Sequence, residues 1–241
     1  MSSTISPAIP AGIPAQVTST SIGKKLLMAV TGFVSFGYVV GHMAGNLQIF
    51  IGQNQINAYA EALHSMGALL WVVRLCLLVF FVTHIWLGIQ LKLENRSSRP
   101  ESYRFKDTVQ ATLSSRTMIW TGLAVFTFFV YHILHYTARV TNPQYLELVD
   151  AQGRFDAYSM IIMGFQNPLI SIVYIIAMTL VAFHLSHGIE SMFQSMGWNS
   201  PRYHGKLKAL AILVSVVIFL GFISIPVAVM AGCITLPGGG I

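Results

Sequence analysis

Five apolar runs, at about residues 26–50, 68–93, 117–138, 167–193 and 207–232, constrain this chain more than any other feature. Each is long enough to cross ~30 Å of hydrocarbon, which takes ~20 residues of helix. No water is available there to satisfy backbone N–H and C=O groups, so isolated spans must bond internally as α-helices. Composition agrees: 54% of the 241 residues are hydrophobic and only 9% are charged, with a mean hydropathy of +0.66. The expected fold is an all-α integral membrane bundle of five transmembrane helices. No soluble segment is long enough to host chemistry of its own.

Charge sets the expected orientation. The formal surplus of +6 invites a nucleic-acid or acidic partner, but its distribution along the chain has a simpler origin. Lys24 and Lys25 precede the first span, and Lys92, Arg96, Arg99, Arg104, Lys106 and Arg116 fill the connection between the second and third. Arg202, Lys206 and Lys208 lie between the fourth and fifth. Only Arg74, Arg139 and Arg154 fall on the other side, so the positive-inside rule predicts a cytoplasmic N-terminus and an outer C-terminus. No nucleic-acid partner is needed.

Residues 1–20, rich in Ser, Pro, Ala and Thr and free of charged side chains, read as a mobile cytoplasmic tail. A secretory signal would start with basic residues before a shorter apolar region, so the first span is expected to be retained. Residues 21–233 form the transmembrane domain and 234–241 an outer tail. Residues 139–166 form an outer loop with room for a short interfacial helix. Cys76 and Cys233 make neither a C-x-x-C-H haem-attachment motif nor a zinc cluster. Both map near the outer side, where a small packing role is favoured over a disulfide.

Four histidines, His42, His84, His132 and His184, lie in four different spans. An imidazole in hydrocarbon is costly unless it pairs, lines a pathway or binds a metal. At 1.5 Å per helical residue, His42 (17 residues past Lys25) and His132 (16 past Arg116) both sit ~25 Å from the inner surface. His84, 8 residues before Lys92, sits ~12 Å in, and His184 ~15 Å in. Two pairs at two depths suit the axial positions of two stacked, non-covalent haems, since neutral imidazole nitrogen ligates haem iron. Haems at two depths would carry electrons across the bilayer.

Glycines accompany these histidines. His84–Gly88 and His184–Gly188 are each four apart on one helical face, and Gly45 follows His42 by one turn. Any one glycine alone reads as close helix packing of the small-xxx-small kind. Coupled to histidines at several places, the pattern points to a flat macrocycle approaching the backbone. His135 and His187, one turn after His132 and His184, are rival ligands ranked lower for lying nearer the interfaces. His64 and His204 read as solvated.

Several motifs in register, GKKLLMAVTG (23–32), GHMAGNLQIF (41–50), HIWLGIQLKLENR (84–96), SRTMIWTG (115–122), YHILHYT (131–137) and FHLSHGIESMFQSMGW (183–198), resemble the cytochrome b558-type membrane anchor of succinate dehydrogenase and fumarate reductase. The resemblance covers roughly residues 20–230. It implies a single five-helix subunit holding two b haems, with His84 and His184 on the inner one and His42 and His132 on the outer one. It implies electron transfer between an iron–sulfur subunit and a membrane quinone, with succinate or fumarate chemistry confined to an FAD-containing flavoprotein subunit.

The family is also associated with a quinone site near the outer haem. Glu61, followed by His64, sits at the outer entrance to the second span and could exchange protons with a quinone; an ordinary interfacial carboxylate is the plainer reading. Arg74 admits a haem-propionate role or that of a snorkelling anchor. The inner basic residues fit both topology and docking of the iron–sulfur subunit. Glu190 could face haem, partner or water. Two rival functions stay open: the dihaem cytochrome b of a hydrogenase or formate dehydrogenase, and a haem-free transporter using its histidines as proton relays.

Overall fold

The computed structural model describes residues 20–98 and 113–238. The tail through residue 19, Arg99, Arg104 and Lys106 of the expected basic loop, and residues 239–241 lie outside the described residues. Five helices are long and apolar enough to cross a membrane. They are α1 (Ser21–Asn46, continued by a 3-10 turn Leu47–Phe50), α3 (Ala68–Ser97), α4 (Leu113–His132, continued by a π turn Ile133–Thr137), α6 (Pro168–Ser195) and α7 (His204–Met230). Two shorter helices, α2 (Gln53–Ser65) and α5 (Ala157–Phe165), join them at one end. Among the described residues no strand forms; Val149 and Phe155 make an isolated antiparallel bridge.

Local chemistry sets the helix starts. Thr20 Oγ1 accepts from Gly23 N at 3.1 Å and caps α1. Asn167 Oδ1 accepts from Leu169 N at 3.0 Å beside Pro168 in the first turn of α6, where proline's missing N–H costs nothing. Gly52 (φ 131°) and Gly67 (φ 54°) turn the chain at either end of α2, in backbone conformations that other residues resist.

Successive spans alternate in direction. Lys24, Lys25, Lys92, Arg96, Arg116, Arg202, Lys206 and Lys208 therefore gather at one end, called here the basic end, opposite the far end that carries α2 and α5. Helices α1 and α6 are central: α1 packs on α3, α6 and α7, while α6 packs on α1, α4 and α7. Along α3, Trp71, Leu75, Val79, Val82, Trp86, Ile89 and Leu93 form an exposed stripe at helical spacing. Such a stripe on every turn suits hydrocarbon and would aggregate in water. At the basic end a salt bridge from Lys24, 5% exposed, to Glu94 ties α1 to α3. Glu94 is partly open, so the pair contributes nearer the ~0.2–1 kcal/mol of exposed pairs than a buried one would.

The densest packing lies at the far end. The loop 139–166 holds the short helix expected there, α5, but buries it in a cap, with Met160, Ile161, Ile162 and Phe165 against Tyr174 of α6 and Ile225 of α7. Asn57 of α2, fully buried, locks this cap. Its Nδ2 donates to Asp150 Oδ2 (3.1 Å) and Asp156 Oδ1 (3.0 Å), and its Oδ1 accepts from Tyr158 N (3.0 Å). Gln53 Nε2 and Ser159 Oγ complete Asp156 at 2.8 and 2.6 Å. Every strong polar group of this buried network has a partner, which is what makes such networks stabilising. Cys76 and Cys233 are free and exposed, without the packed surroundings expected for them.

Candidate functional site

The four span histidines meet as two facing pairs. At the basic-end level, the rings of His84 (α3) and His184 (α6) have centroids 6.3 Å apart at an interplanar angle of 71°. At the far-end level, His42 (α1) and His132 (α4) are 5.8 Å apart at 84°.

Both basic-end imidazoles are held from behind by the same dipeptide on the neighbouring helix. His84 Nδ1 lies 3.2 Å from Met28 O and 3.2 Å from Thr31 Oγ1. A carbonyl only accepts, so Nδ1 carries the proton and Nε2 keeps its lone pair. The Thr31 hydroxyl donates to Leu27 O (2.9 Å) and so accepts from the ring. On α4, Thr121 Oγ1, which reaches Met118 O at 3.1 Å, sits 3.4 Å from His184 Nδ1 and supports that ring from the same side. The glycines that follow complete each cradle. A Cβ on Gly32 would stand 3.1 Å from His84 Cε1, and one on Gly122 would stand 3.3 Å from His184 Cε1. Such locking of the far nitrogen characterises metal-binding histidines.

Sequence reasoning places Gly32 in a small-residue stripe with Gly37, Gly41 and Gly45 along the first span, but misses the two threonines and Gly122. The available signal was the Thr-Gly pair at 31–32 and again at 121–122, on the two helices that carry no basic-end histidine of their own at that level.

At the far-end level, Tyr174 Oη lies 3.3 Å from His132 Nδ1 and 3.0 Å from His135 Nδ1. His42 stacks on Tyr38 at 5.5 Å. The π turn begins just after His132, an irregularity that concentrates at functional sites. His135 is fully buried, and its ring neighbours are Tyr131, Tyr136, Tyr145 and Tyr174. His187 is half-buried.

The glycines differ from one another. The space a Gly45 Cβ would take is filled by the Tyr59 ring of α2, 2.7 Å away, a helix–helix contact. Gly88 would meet only Met28 Sδ at 4.0 Å, and Gly188 faces open space. Arg74 lies with its guanidinium 5.1 Å from the Trp71 ring centroid. Glu61 and the exposed His64 line a far-end hollow of about 260 Å³ with Arg139, Arg154 and Phe155. There Arg139, in a left-handed conformation (φ 55°), sets its guanidinium 3.9 Å from the Phe155 ring. His204 is mostly exposed and lies 3.8 Å from Glu190, so this acid faces an imidazole at the basic end.

An electrostatic anchor stands beside that hollow. Burial pushes the Asp150 carboxyl up, but the Arg154 guanidinium and N–H, Asn57 and the Gln152 N–H together hold it well below the usual carboxylate range.

Five apolar helical spans, with two levels of paired histidines, define a multi-pass membrane subunit. The family model for the succinate dehydrogenase/fumarate reductase transmembrane subunit matches residues 92–223. The chain belongs to that family and is a membrane anchor subunit of such a complex, associating with its catalytic subunits. No curated protein and no solved structure gives a significant match.

Proposed function

We propose that this chain is the dihaem cytochrome b anchor of a succinate:quinone oxidoreductase in a bacterial inner membrane. It passes electrons between an iron–sulfur subunit docked on its cytoplasmic, basic end and a membrane quinone. The family membership favours this reading over a hydrogenase or formate dehydrogenase anchor and over a haem-free transporter. The observation that carries it is the pair of opposed imidazoles His84 and His184, each backed at Nδ1 by a neighbouring helix, repeated at a second level by His42 and His132.

The residues fit the group. An iron ~2 Å from an imidazole nitrogen on each side separates the ring centroids by about 6 Å, against 6.3 and 5.8 Å here. Haem iron needs two protein ligands, and among the described residues no group of three or more His, Cys, Asp or Glu side chains could hold a metal instead. Gly88 and Gly188 leave the adjoining helix faces bare.

Bound haem would supply one-electron redox chemistry at each level. The protein's part is to hold the ligands rigid. Met28 and Thr31 fix His84, Thr121 fixes His184, and Tyr174 shares its hydroxyl between His132 and His135. The apolar spans keep water from both levels, and burial of the haems helps set their potentials.

At the far end, Glu61 and His64 exchange protons with a quinone whose carbonyl oxygens accept hydrogen bonds near Arg139 and Arg154. Arg74, whose guanidinium rests 5.1 Å from the Trp71 ring centroid, would supply a charge partner for a propionate if haem is bound at this level. FAD and the iron–sulfur clusters stay on the flavoprotein and iron–sulfur partners.

The test is a reduced-minus-oxidised visible spectrum of the purified complex with a pyridine haemochrome assay. Two b haems per chain are expected, and a well-folded complex without haem would sink the ligand assignment.

A further inference from the structure

Below the His84–His184 pair, towards the basic end, lies a hollow of about 360 Å³. Two helices reach it by the same spacing. From His84 the face of α3 runs through Gly88, Leu91 and Asn95; from His184 the face of α6 runs through Gly188, Ser191 and Ser195. Steps of four, seven and eleven residues keep each set on one side of its helix. The third wall is α1, where Met28, whose carbonyl holds His84, lies one turn from Lys25. The ends of these faces are ~10–16 Å along the axis from the histidines.

The chemistry of the lining is one-sided. Lys25, Asn95, Ser191, Gln194 and Ser195 offer an ammonium, amides and hydroxyls, and among the described residues the lining holds no carboxylate. The neighbouring acids are engaged elsewhere: Glu94 with Lys24, and Glu190 facing His204. A hollow rich in donors, bearing one cation and set at the edge of an apolar bundle, suits carboxylates, which cannot enter such a region without charge-assisted partners.

We propose that this hollow holds the propionate carboxylates of the haem borne by His84 and His184. Lys25 is their charge partner, and Asn95, Ser191 and Gln194 are their hydrogen-bond donors. The proposal rests on the reading of His84 and His184 as axial ligands. It assigns a direction to that haem, with its propionate edge at the basic end. It also gives Lys25 a role in setting the potential, since a cation beside the macrocycle favours the reduced, more negative state.

The experiment is a redox titration of the purified complex, followed in the visible band, with haem and subunit stoichiometry measured in parallel. In Lys25→Met, one of the two components is expected to lose about tenfold in its reduction equilibrium, ~59 mV for one electron. Two haems should be retained, and Lys25→Arg should restore the value. Ser191→Glu, which adds a carboxylate to the hollow, is expected to lower the same component or expel that haem. Lys208→Met, which removes a basic-end charge outside the hollow, should leave both components in place.

Unchanged potentials in both Lys25→Met and Ser191→Glu, with two haems present, would overturn the proposal and leave the dihaem reading standing. Loss of a co-purified anionic phospholipid from Lys25→Met without any shift in potential would assign the hollow to a lipid phosphate, also against the proposal. A parent complex lacking haem would fail at the axial-ligand reading itself.

Discussion

Thr31 Oγ1 stands 3.2 Å from His84 Nδ1 with its own proton already given to the α1 backbone, so it can only receive the imidazole N–H. Thr121 stands in the matching place, 3.4 Å from His184 Nδ1, across a different helix pair. Outer partners of this kind typically cost 10–100-fold in affinity or activity when removed. Thr31→Val and Thr121→Val are therefore expected to weaken haem retention at one level only. Haem per polypeptide after dilution in detergent measures this; equal retention in both variants and the parent would refute the positioning role.

Substitution of the ligands themselves should divide the site by level. His84→Ala or His184→Ala is expected to remove one b haem, and His42→Ala or His132→Ala the other. His135→Ala and His187→Ala should keep two. A pyridine haemochrome assay on the six variants reads the result directly, and loss of a haem from His135→Ala would transfer the far-end ligand role from His132.

The glycine cradles predict a steric limit. A Cβ at Gly32 would come to 3.1 Å from His84 Cε1, tighter than ordinary contact, so Gly32→Ala should tilt the ring and Gly32→Leu should prevent it from facing His184. Gly37, with open space beside it, is the control. The absorption and electron paramagnetic resonance signature of the reduced and oxidised complex should change for Gly32→Leu and not for Gly37→Ala.

The far-end cap should depend on one amide. Asn57→Leu would take one donor from each of Asp150 and Asp156 and remove the oxygen that accepts from Tyr158 N, at a cost of ~1–3 kcal/mol. Thermal unfolding of the detergent-solubilised complex should show a lower midpoint, and an unchanged midpoint would mean the cap contributes little to stability.

Asp150 makes that cap sensitive to acid. Its carboxyl pKa is lower in the folded chain than in the unfolded one, so its stabilisation is complete above the unfolded value of ~3.9 and is lost as the pH falls from there through the folded value. Asp150→Asn is therefore expected to destabilise the protein at pH 7 and to flatten the acid limb of its stability profile. Parallel acid limbs for the two proteins would contradict this.

The five spans, the all-helical class and the level of each histidine were legible in the sequence because a bilayer imposes them locally. Each span must satisfy its own backbone, and depth follows from counting residues at a fixed rise. The ends differ for equally local reasons: Thr20 starts α1 before the apolar run begins, and the π turn at 133–137 ends α4 by widening it.

The cap and the cradles were decided by tertiary structure alone. Asn57 meets Asp150 and Asp156 across 93 and 99 residues, and Thr121 meets His184 across 63. No periodicity encodes such contacts, because a polar side chain in a short loop has the same local pattern whether water or a buried carboxylate will satisfy it. The hollow at Lys25 follows the same logic. Its spacing is written twice, after His84 and after His184, but only the packing of α1, α3 and α6 turns two ordinary helix faces into the walls of one site.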